Sequence, residues 1–564
     1  MKSTLHFILV KEMLADRLAS LIFVVVSGIA SGITGIVLLA FINSYLHSAH
    51  AFDEKDALVF LALVALVTGS WVASSIGMTR IVQAVVRDLR LQLSRQIMAA
   101  SYSTLQKLGS ARLMANLTED VSVLSQALQR VSQICISMAW LVGGLAYMAW
   151  LSLSLFLFVI SVIVFGAVIY YLHSRLAMRP LHSAREQDDA LYTHFRALTQ
   201  GVKELKLHRH RAQGFLKNGL VPTAKASCQL NISAMIFFIV AAAWGSVVLY
   251  ILMGIVLYGA HNWWNVTDET VVSGYILTLL YIFGPISVLI DSIPELGRAK
   301  VSLIKINTLR QELEERINVT GDVALYPVPA QSCTIELKEM CFSYHQDGSD
   351  FTLGPLNLML NPGELVFITG GNGSGKSSLM LLLVGLYTPE QGSVLLNGEP
   401  VTDTNRLLYR QQFSAIFSDF YLFESLLGLS DDQLDQQAQH YLKWLQLDHK
   451  VSVKDGVFST IALSQGQRKR LALLTALLDD RPVYVFDEWA ADQDPQFKEL
   501  FYTHILADLK ARGKTVVAIT HDDRYFYIAD RCIKLDNGVI SEITEHPGLR
   551  MHQSAVPHNQ ESSA

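Results

Sequence analysis

Gly370-Gly-Asn-Gly-Ser-Gly-Lys-Ser377 follows the apolar run Glu364-Leu-Val-Phe-Ile-Thr369 and leads into Ser378-Leu-Met-Leu-Leu-Leu-Val384. The three pieces read as strand, glycine-rich loop and helix, and in that setting the spacing G-x-x-x-x-G-K-S marks a phosphate-binding loop. Glycines let backbone N–H groups wrap phosphate oxygens, and the helix N-terminus adds positive potential. Lys376 is then placed to reach the β- and γ-phosphates of ATP, and the Ser377 hydroxyl to ligate Mg2+. A plain glycine-rich turn has no reason to fill every fixed position of the motif. The candidate ATP contacts are Gly370, Gly371, Asn372, Gly373, Ser374, Gly375, Lys376, Ser377 and Ser378.

A second signal lies some 110 residues downstream, where Pro482-Val-Tyr-Val-Phe-Asp487-Glu488 carries a buried-strand pattern into two carboxylates. Behind a phosphate loop, Asp487 suits the Mg2+ shell and Glu488 suits polarisation of an attacking water. Apolar strands often end in acids, so the pair takes its meaning from its place after the glycine loop. Thr334-Ile-Glu-Leu-Lys338 alternates as a short strand, and Asp322-Val-Ala-Leu-Tyr-Pro-Val-Pro329 before it reads as a proline-stiffened linker. The expectation is an α/β P-loop domain over 334–545, a linker over 316–333 and a polar, disordered tail over 546–564.

Upstream the composition is different. Of all 564 residues, 51% are hydrophobic and only 17% are charged, against roughly 25% in soluble domains, and the mean hydropathy is +0.32. The net charge of −5 argues against a nucleic-acid partner held by overall basicity, and the apolar content argues against disorder. Cys135, Cys228, Cys333, Cys341 and Cys532 lack any C-x-x-C spacing and read as free thiols. A bilayer core takes about 20 apolar helical residues, and five stretches lack Asp, Glu, Lys and Arg: 18–52, 57–79, 131–174, 226–267 and 271–290. The third is twice the length of one crossing and holds a place to turn at Trp150-Leu-Ser-Leu-Ser154, so it reads as a helical hairpin. An all-α membrane domain over 1–315 is therefore expected, with six spans near 18–42, 57–79, 131–151, 153–173, 232–258 and 271–290.

Cations set the orientation. The segment 80–130 holds seven Lys/Arg and 175–225 holds ten, whereas 43–56 sets Lys55 against Asp53, Glu54 and Asp56, and 259–270 has only Asp268 and Glu269. The two basic loops are expected to face the cytoplasm, as are both termini. Lys2, Lys11 and Arg17 precede an apolar run of about 25 residues, too long for a cleaved signal, so that run is expected to be the first span. Loops of about 50 residues without clustered Gly or Pro are not structureless connections. Apolar residues at helical spacing through Ile81, Val82, Val85, Val86, Leu89, Leu93 and Ile97 predict helices that continue into the cytoplasm, each pair turning where a second domain can touch it. In the last span Gly284-Pro285 can bend the helix, and Asp291 either lines a polar cavity or marks the cytoplasmic extension. Thr34 and Asn43 carry the same ambiguity.

Leu463-Ser-Gln-Gly-Gln467, followed by Arg-Lys-Arg-Leu-Ala-Leu-Leu474, stands between the two nucleotide motifs and resembles the signature sequence of ATP-binding cassette (ABC) transporters. Asp494 occupies the place of that family's D-loop aspartate, Thr520-His521 resembles its switch histidine, and Tyr344 in Phe342-Ser-Tyr344 matches the aromatic that stacks on adenine. These motifs run in family order over 334–545, and the spans ahead of them match the exporter arrangement, so the resemblance covers nearly the whole chain. It implies that Ser464, Gly466, Gln467 and Asp494 of one cassette close over ATP held in the phosphate loop of another, with Glu488 orienting water and His521 contacting the γ-phosphate. One copy of each motif per chain then implies a homodimer of twelve spans with two ATP between its cassettes. The implied location is the bacterial cytoplasmic (inner) membrane.

More narrowly, Phe413-Ser-Ala-Ile-Phe-Ser-Asp-Phe-Tyr-Leu-Phe423, Asp487-Glu-Trp-Ala-Ala-Asp-Gln-Asp-Pro495 and His521-Asp-Asp-Arg-Tyr-Phe526 look like the cyclic-peptide and siderophore exporter subgroup, the kin of syringomycin and pyoverdine secretion proteins. That resemblance implies ATP-driven export of a cyclic or non-ribosomal peptide or a siderophore. A lipid or multidrug exporter has the same cassette chemistry. A nucleotide-gated channel or sensor is the rival of another class, and the intact Glu488 argues against it. Two positions depart from the family pattern: Gln465 replaces a signature glycine, and Ser418 stands at the Q-loop glutamine. Serine is too short to ligate directly, so a metal set of Ser377, Asp487 and Ser418 implies a bridging water at Ser418, or Asp419 in its place.

Overall fold

The computed structural model of the chain describes residues 17–47, 52–264, 266, 268–314, 332–346, 349–429 and 433–545. It divides into two units, one formed by the chain up to Gln92 and by Met114–Thr308, the other by Leu93–Leu113 and the chain from Leu309 on. Residues 316–331 of the expected linker and the expected tail lie outside the described residues.

The first unit is helical. Its helices are α1 (Leu18–Leu46), α2 (Glu54–Ala99), α3 (Val121–Leu151), α4 (Leu153–Gln200), α5 (Val221–Asn262) and α6 (Glu269–Glu314), of which α2 and α6 run on into the second unit. Among the described residues five helical stretches are long and apolar enough to cross a membrane: Leu18–Leu46, Glu54–Ala99, Ser110–Leu151, Ala243–Asn262 and Glu269–Leu313. Among the described residues the apolar part of α4 covers Leu153–Ile169, within a helix of 48 residues, so five of the six expected spans are matched at full length. The 46 residues of α2 rise about 69 Å at 1.5 Å each, more than twice a hydrocarbon core of about 30 Å. Helical periodicity carries it past the apolar run: Ile81, Val82, Val85, Val86, Leu89 and Leu93 are all buried.

The predicted hairpin turn falls at Ser152, whose backbone is extended (φ −162°, ψ 114°) between α3 and α4. The hydroxyl of buried Tyr275 on α6 lies 2.7 Å from the Met148 carbonyl and 2.6 Å from the Ser152 carbonyl, and donates to acceptors at this helix end. Helix α1 packs on α3 so closely that a Cβ at Gly35 would sit 2.0 Å from the Trp140 ring, which small residues alone permit. Asn43 is a structural residue: its amide donates to the Tyr147 hydroxyl at 3.1 Å and the Thr270 carbonyl at 2.9 Å, and accepts from Ser273 at 2.6 Å.

The second unit is α/β. Its strands are β1 (Ile335–Gln346), β2 (Ser349–Leu360), β3 (Leu365–Gly370), β4 (Gln391–Leu396), β5 (Glu399–Pro400), β6 (Phe413–Ile416), β7 (Val453–Lys454), β8 (Val457–Phe458), β9 (Val483–Asp487), β10 (Thr515–Ile519), β11 (Arg531–Asp536) and β12 (Val539–Glu545). A six-stranded sheet has the order β12-β11-β3-β10-β9-β6, a four-stranded antiparallel sheet the order β2-β1-β4-β5, and β7 pairs with β8. In the larger sheet β11, β3, β10, β9 and β6 are parallel and β12 is antiparallel. Every residue of β9 and β10 is buried, which is why both read as unbroken apolar runs. The predicted strands at 334–338, 364–369 and 482–487 correspond to β1, β3 and β9, and helices α7 (Lys376–Leu383) and α8 (Gln465–Asp479) start within the phosphate loop and the signature.

This unit also holds the turn after α2. The short helix Tyr102–Leu108, capped by Ser101, brings Tyr102 to 5.9 Å from the Tyr387 ring, and Tyr387 donates to the Gln106 side chain and stacks on Phe342 at 4.7 Å. The expected contact of a cytoplasmic turn with the second domain is this aromatic cluster.

Candidate nucleotide site

Parallel strand order brings the separate motifs to one edge. Strand β3 ends in the glycine loop, β10 in Thr520-His521, β9 in Asp487-Glu488, and β6 two residues before Ser418, and these four are neighbours in the sheet. Their C-terminal ends form the crevice at which open α/β sheets bind ligands.

Gly370 has φ +144°, and a Cβ there would lie 2.3 Å from the Leu535 carbonyl oxygen, so the loop leaves β3 only as glycine. Lys376, 7% exposed, folds its Nζ back onto the carbonyls of Gly370 and Gly371 at 2.9 Å each. The Ser374 hydroxyl is buried with no hydrogen-bond partner among the described residues. An ammonium parked on loop carbonyls and an orphaned hydroxyl inside the loop fit a phosphate that takes up both.

Asp487 is 3% exposed, and burial pushes its carboxyl above the usual carboxylate range. Against that, hydrogen bonds from the Ser377 side chain and from the Ser418 backbone and side chain draw it down, while the Glu488 charge raises it further. Ser377 and Ser418 therefore both lie beside the Asp487 carboxyl. The Ser377 hydroxyl oxygen carries lone pairs that can serve a cation. Hard oxygen donors with a single carboxylate fit Mg2+, which is held by few protein ligands plus substrate phosphates.

Glu488 follows in a left-handed conformation (φ +47°) that costs about 1–3 kcal/mol in a non-glycine residue. A side chain the sequence reading passed over holds it there. Lys469 on α8, 3% exposed, donates to the Glu488 carbonyl at 3.1 Å and pairs with Asp492 at 2.8 Å, and the Trp489 indole donates to the Lys469 carbonyl at 3.0 Å. The Glu488 carboxylate turns the other way, and its Oε1 lies 3.1 Å from His521 Nε2. These two half-exposed side chains line a cavity of about 280 Å3 with Ala490, Lys498, Tyr502 and Thr520.

The signature residues sit apart from this cluster. Ser464 caps α8 and Gln467 closes a capping box with it, each side chain bonding the other's backbone N–H. Gly466 approaches Gln493, whose amide donates to its carbonyl at 3.0 Å. Asp494 caps the next helix through Phe497 N–H at 2.9 Å and pairs with Arg470, which lies 3.7 Å over the Phe497 ring. Among the described residues no hydrogen bond joins Ser464, Gly466, Gln467 or Asp494 to the glycine loop. Tyr344 pairs with Phe351 in the β1–β2 ladder, and its side chain lies outside those described. All five cysteines are free.

Comparison with known proteins matches this arrangement. A family model of the ABC transporter transmembrane region covers residues 18–213, and one of the ABC transporter covers 353–491. The ATP-binding protein SyrD of Pseudomonas syringae pv. syringae is 36% identical over 530 residues, spanning 92% of this chain and 93% of that one. The ATP-dependent lipid A-core flippase of Burkholderia orbicola (strain AU 1054) is 24% identical over 91% of this chain and 89% of its own. A solved bacterial Atm1-family ABC exporter with ATP bound shares the fold, with a TM-score of 0.70 at 18% identity over 97% of this chain and 99% of that one. With both halves matched in order and the nucleotide motifs assembled at one sheet edge, the chain belongs to the ABC transporters, as a multi-pass exporter with fused transmembrane and ATP-binding domains that couples ATP hydrolysis to transport.

Proposed function

We propose that the protein exports a cyclic or non-ribosomal peptide, or a siderophore, across the bacterial cytoplasmic membrane as a homodimer with six spans per chain. The observation that carries this reading is the likeness to SyrD through both halves, at 36% identity, alongside the subgroup-like sequences at 413–423, 487–495 and 521–526. A lipid cargo is the second reading, favoured by the likeness to a lipid A-core flippase over 91% of the chain. Hydrolysis coupled to transport leaves no role for the channel or sensor alternative.

In the proposed cycle Lys376, the loop N–H groups and the Ser374 hydroxyl bind the phosphates of ATP. Bound Mg2+, held by Ser377 and Asp487 with Ser418 behind them, would neutralise charge on the β- and γ-oxygens. Glu488 orients and polarises the attacking water, and His521 holds Glu488 and contacts the γ-phosphate. Ser464, Gly466, Gln467 and Asp494 of a second copy close the site, with the capped helix N-terminus of α8 directed at phosphate. Tyr344 stacks on adenine. Closure of two cassettes shifts the membrane helices between inward and outward access. Uptake into inverted vesicles tests the cargo: ATP-dependent accumulation of a cyclic lipopeptide or a peptide siderophore is expected, and accumulation of labelled lipid alone would transfer the assignment to the second reading.

Two further outcomes follow from the same reading. Ser418→Ala removes one of several donors to Asp487 while the backbone N–H of residue 418 and the Ser377 hydroxyl remain. Turnover is expected to fall about tenfold or less, the scale of one ordinary hydrogen bond, because the other donors share the carboxylate, and Ser418→Gln to retain hydrolysis. A loss on the order of 100-fold in the alanine variant, as for a lost transition-state contact, would make Ser418 central to the reaction. For topology, His50→Cys and Asn262→Cys are expected to react with an impermeant thiol reagent from outside, in a background stripped of native cysteines. Lys107→Cys and His210→Cys are expected to stay unlabelled, because the cation-rich loops remain inside. Reversed labelling would overturn the orientation.

A further inference from the structure

Residues of helices α4, α5 and α6 line a half-open cavity of about 300 Å3 that includes no residue of the nucleotide site. That volume falls at the lower end of small-molecule pockets, roughly 300–1,000 Å3. The walls are apolar, with Val248, Leu252 and Phe283 among them, and Gly245 leaves room: a Cβ there would meet nothing within 4 Å. Of the two polar lining residues, Ser287 donates its hydroxyl to the Phe283 carbonyl of its own helix at 3.1 Å, which leaves Asp291 as the charged member.

Asp291 makes no hydrogen bond or ion pair among the described residues. Arg130 feels its charge, yet the guanidinium is committed elsewhere: Nε and Nη2 bind both Glu295 oxygens at 2.7 and 2.9 Å, and Nη1 binds Gln133 at 2.7 Å. Asp291 is exposed at the end of the apolar run 271–290, where its charge is available to a ligand. Helix α6 runs on to Glu314 beyond Asp291, and the cavity that the residue lines is apolar where a polar one was the alternative.

We propose that this cavity is a cargo site for amphipathic cations, in which an apolar body fills the space between the three helices and an ammonium or guanidinium group pairs with Asp291. The proposal rests on the export reading and narrows its cargo by charge. Apolar walls alone would accept any lipid chain. A carboxylate without an ion-pair partner among the described residues selects for a positive group and against an anionic one.

Isosteric probes of opposite charge test it. Binding of radiolabelled tetraphenylphosphonium and tetraphenylborate is measured to the full-length protein in nanodiscs without nucleotide, with protein-free discs subtracted. The cation is expected to bind saturably and more tightly than the anion. Asp291→Asn is expected to weaken the cation about tenfold or more and to leave the anion unchanged or tighter. Gly245→Leu, which fills the cavity and keeps the carboxylate, is expected to weaken the cation as well, and thermal unfolding checks that both variants are folded. Cation binding no greater than in protein-free discs, or equal in wild type and both variants, would overturn the proposal. Because these measurements need no ATP, failed peptide uptake would overturn the export reading and leave this result standing. Peptide uptake without Asp291-dependent cation binding would remove only the cavity.

Discussion

Lys376→Ala is expected to lower ATP turnover by about 10²–10³-fold, the scale of removing one preorganised donor from developing charge, and to abolish transport with it. The ammonium lies in the loop 7% exposed and bound to two carbonyls, so it is kept inside the loop before ligand arrives and exchanges those carbonyls for phosphate oxygens. Its removal takes away the one cation among the loop's own side chains, and a neighbouring N–H group cannot replace a full charge in a partly desolvated site. Nucleotide affinity should fall together with turnover, since the β- and γ-phosphates are contacted in the bound state as well as during transfer. The fold is expected to survive, because Gly370 and Gly371 carbonyls sit at a site edge that water can reach in the absence of the lysine. Initial-rate hydrolysis and equilibrium ATP binding in nanodiscs measure both effects. Turnover close to wild type would remove Lys376 from the phosphate site.

What was legible in the chain divides by range. The glycine loop is contiguous, so Gly370–Ser377 could be read together with the strand before it and the helix after it. The membrane half was legible because charge-free runs are set by the bilayer's thickness and not by any partner residue. Long-range pairing was less accessible. Ser418 reaches Asp487 because β6 lies beside β9 in the sheet, and no local spacing states that neighbour. Lys469 has no assigned role in the sequence reading, although it precedes buried Leu473 and Leu477 by one and two helical turns on the same face. That periodicity was the available signal for a buried cation. Ser464-x-x-Gln467 is likewise a capping-box pattern, and the structure gives both residues that local duty whether or not a second copy approaches them. The six-span reading depends on α4, a helix of 48 residues whose charge-free part runs from Leu153 to the basic segment that begins at Arg175.

Glu488→Gln is expected to lower hydrolysis by about 10²–10⁴-fold, the range for losing a positioned general base, while ATP binding persists. The substitution keeps size and shape. The amide oxygen can still accept from His521 Nε2, now 3.1 Å from the Glu488 carboxylate, and the strained backbone stays clamped, because Lys469 donates to the main-chain carbonyl and not to the side chain. Only the negative charge that polarises water is lost. The phosphate loop, Asp487 and Ser377 are untouched, so nucleotide should enter and remain. If two copies close over ATP as proposed, the variant is expected to accumulate as a nucleotide-filled dimer that keeps its ATP through gel filtration, whereas wild type releases hydrolysed product. Lys376→Ala should show the opposite pattern, with low occupancy and no trapped dimer, so the pair separates binding from chemistry within one site. Turnover near wild type in the glutamine variant would move the water-activating role away from Glu488. Full loss of hydrolysis with no retained nucleotide would show that the carboxylate is needed to close the site and not only to activate water.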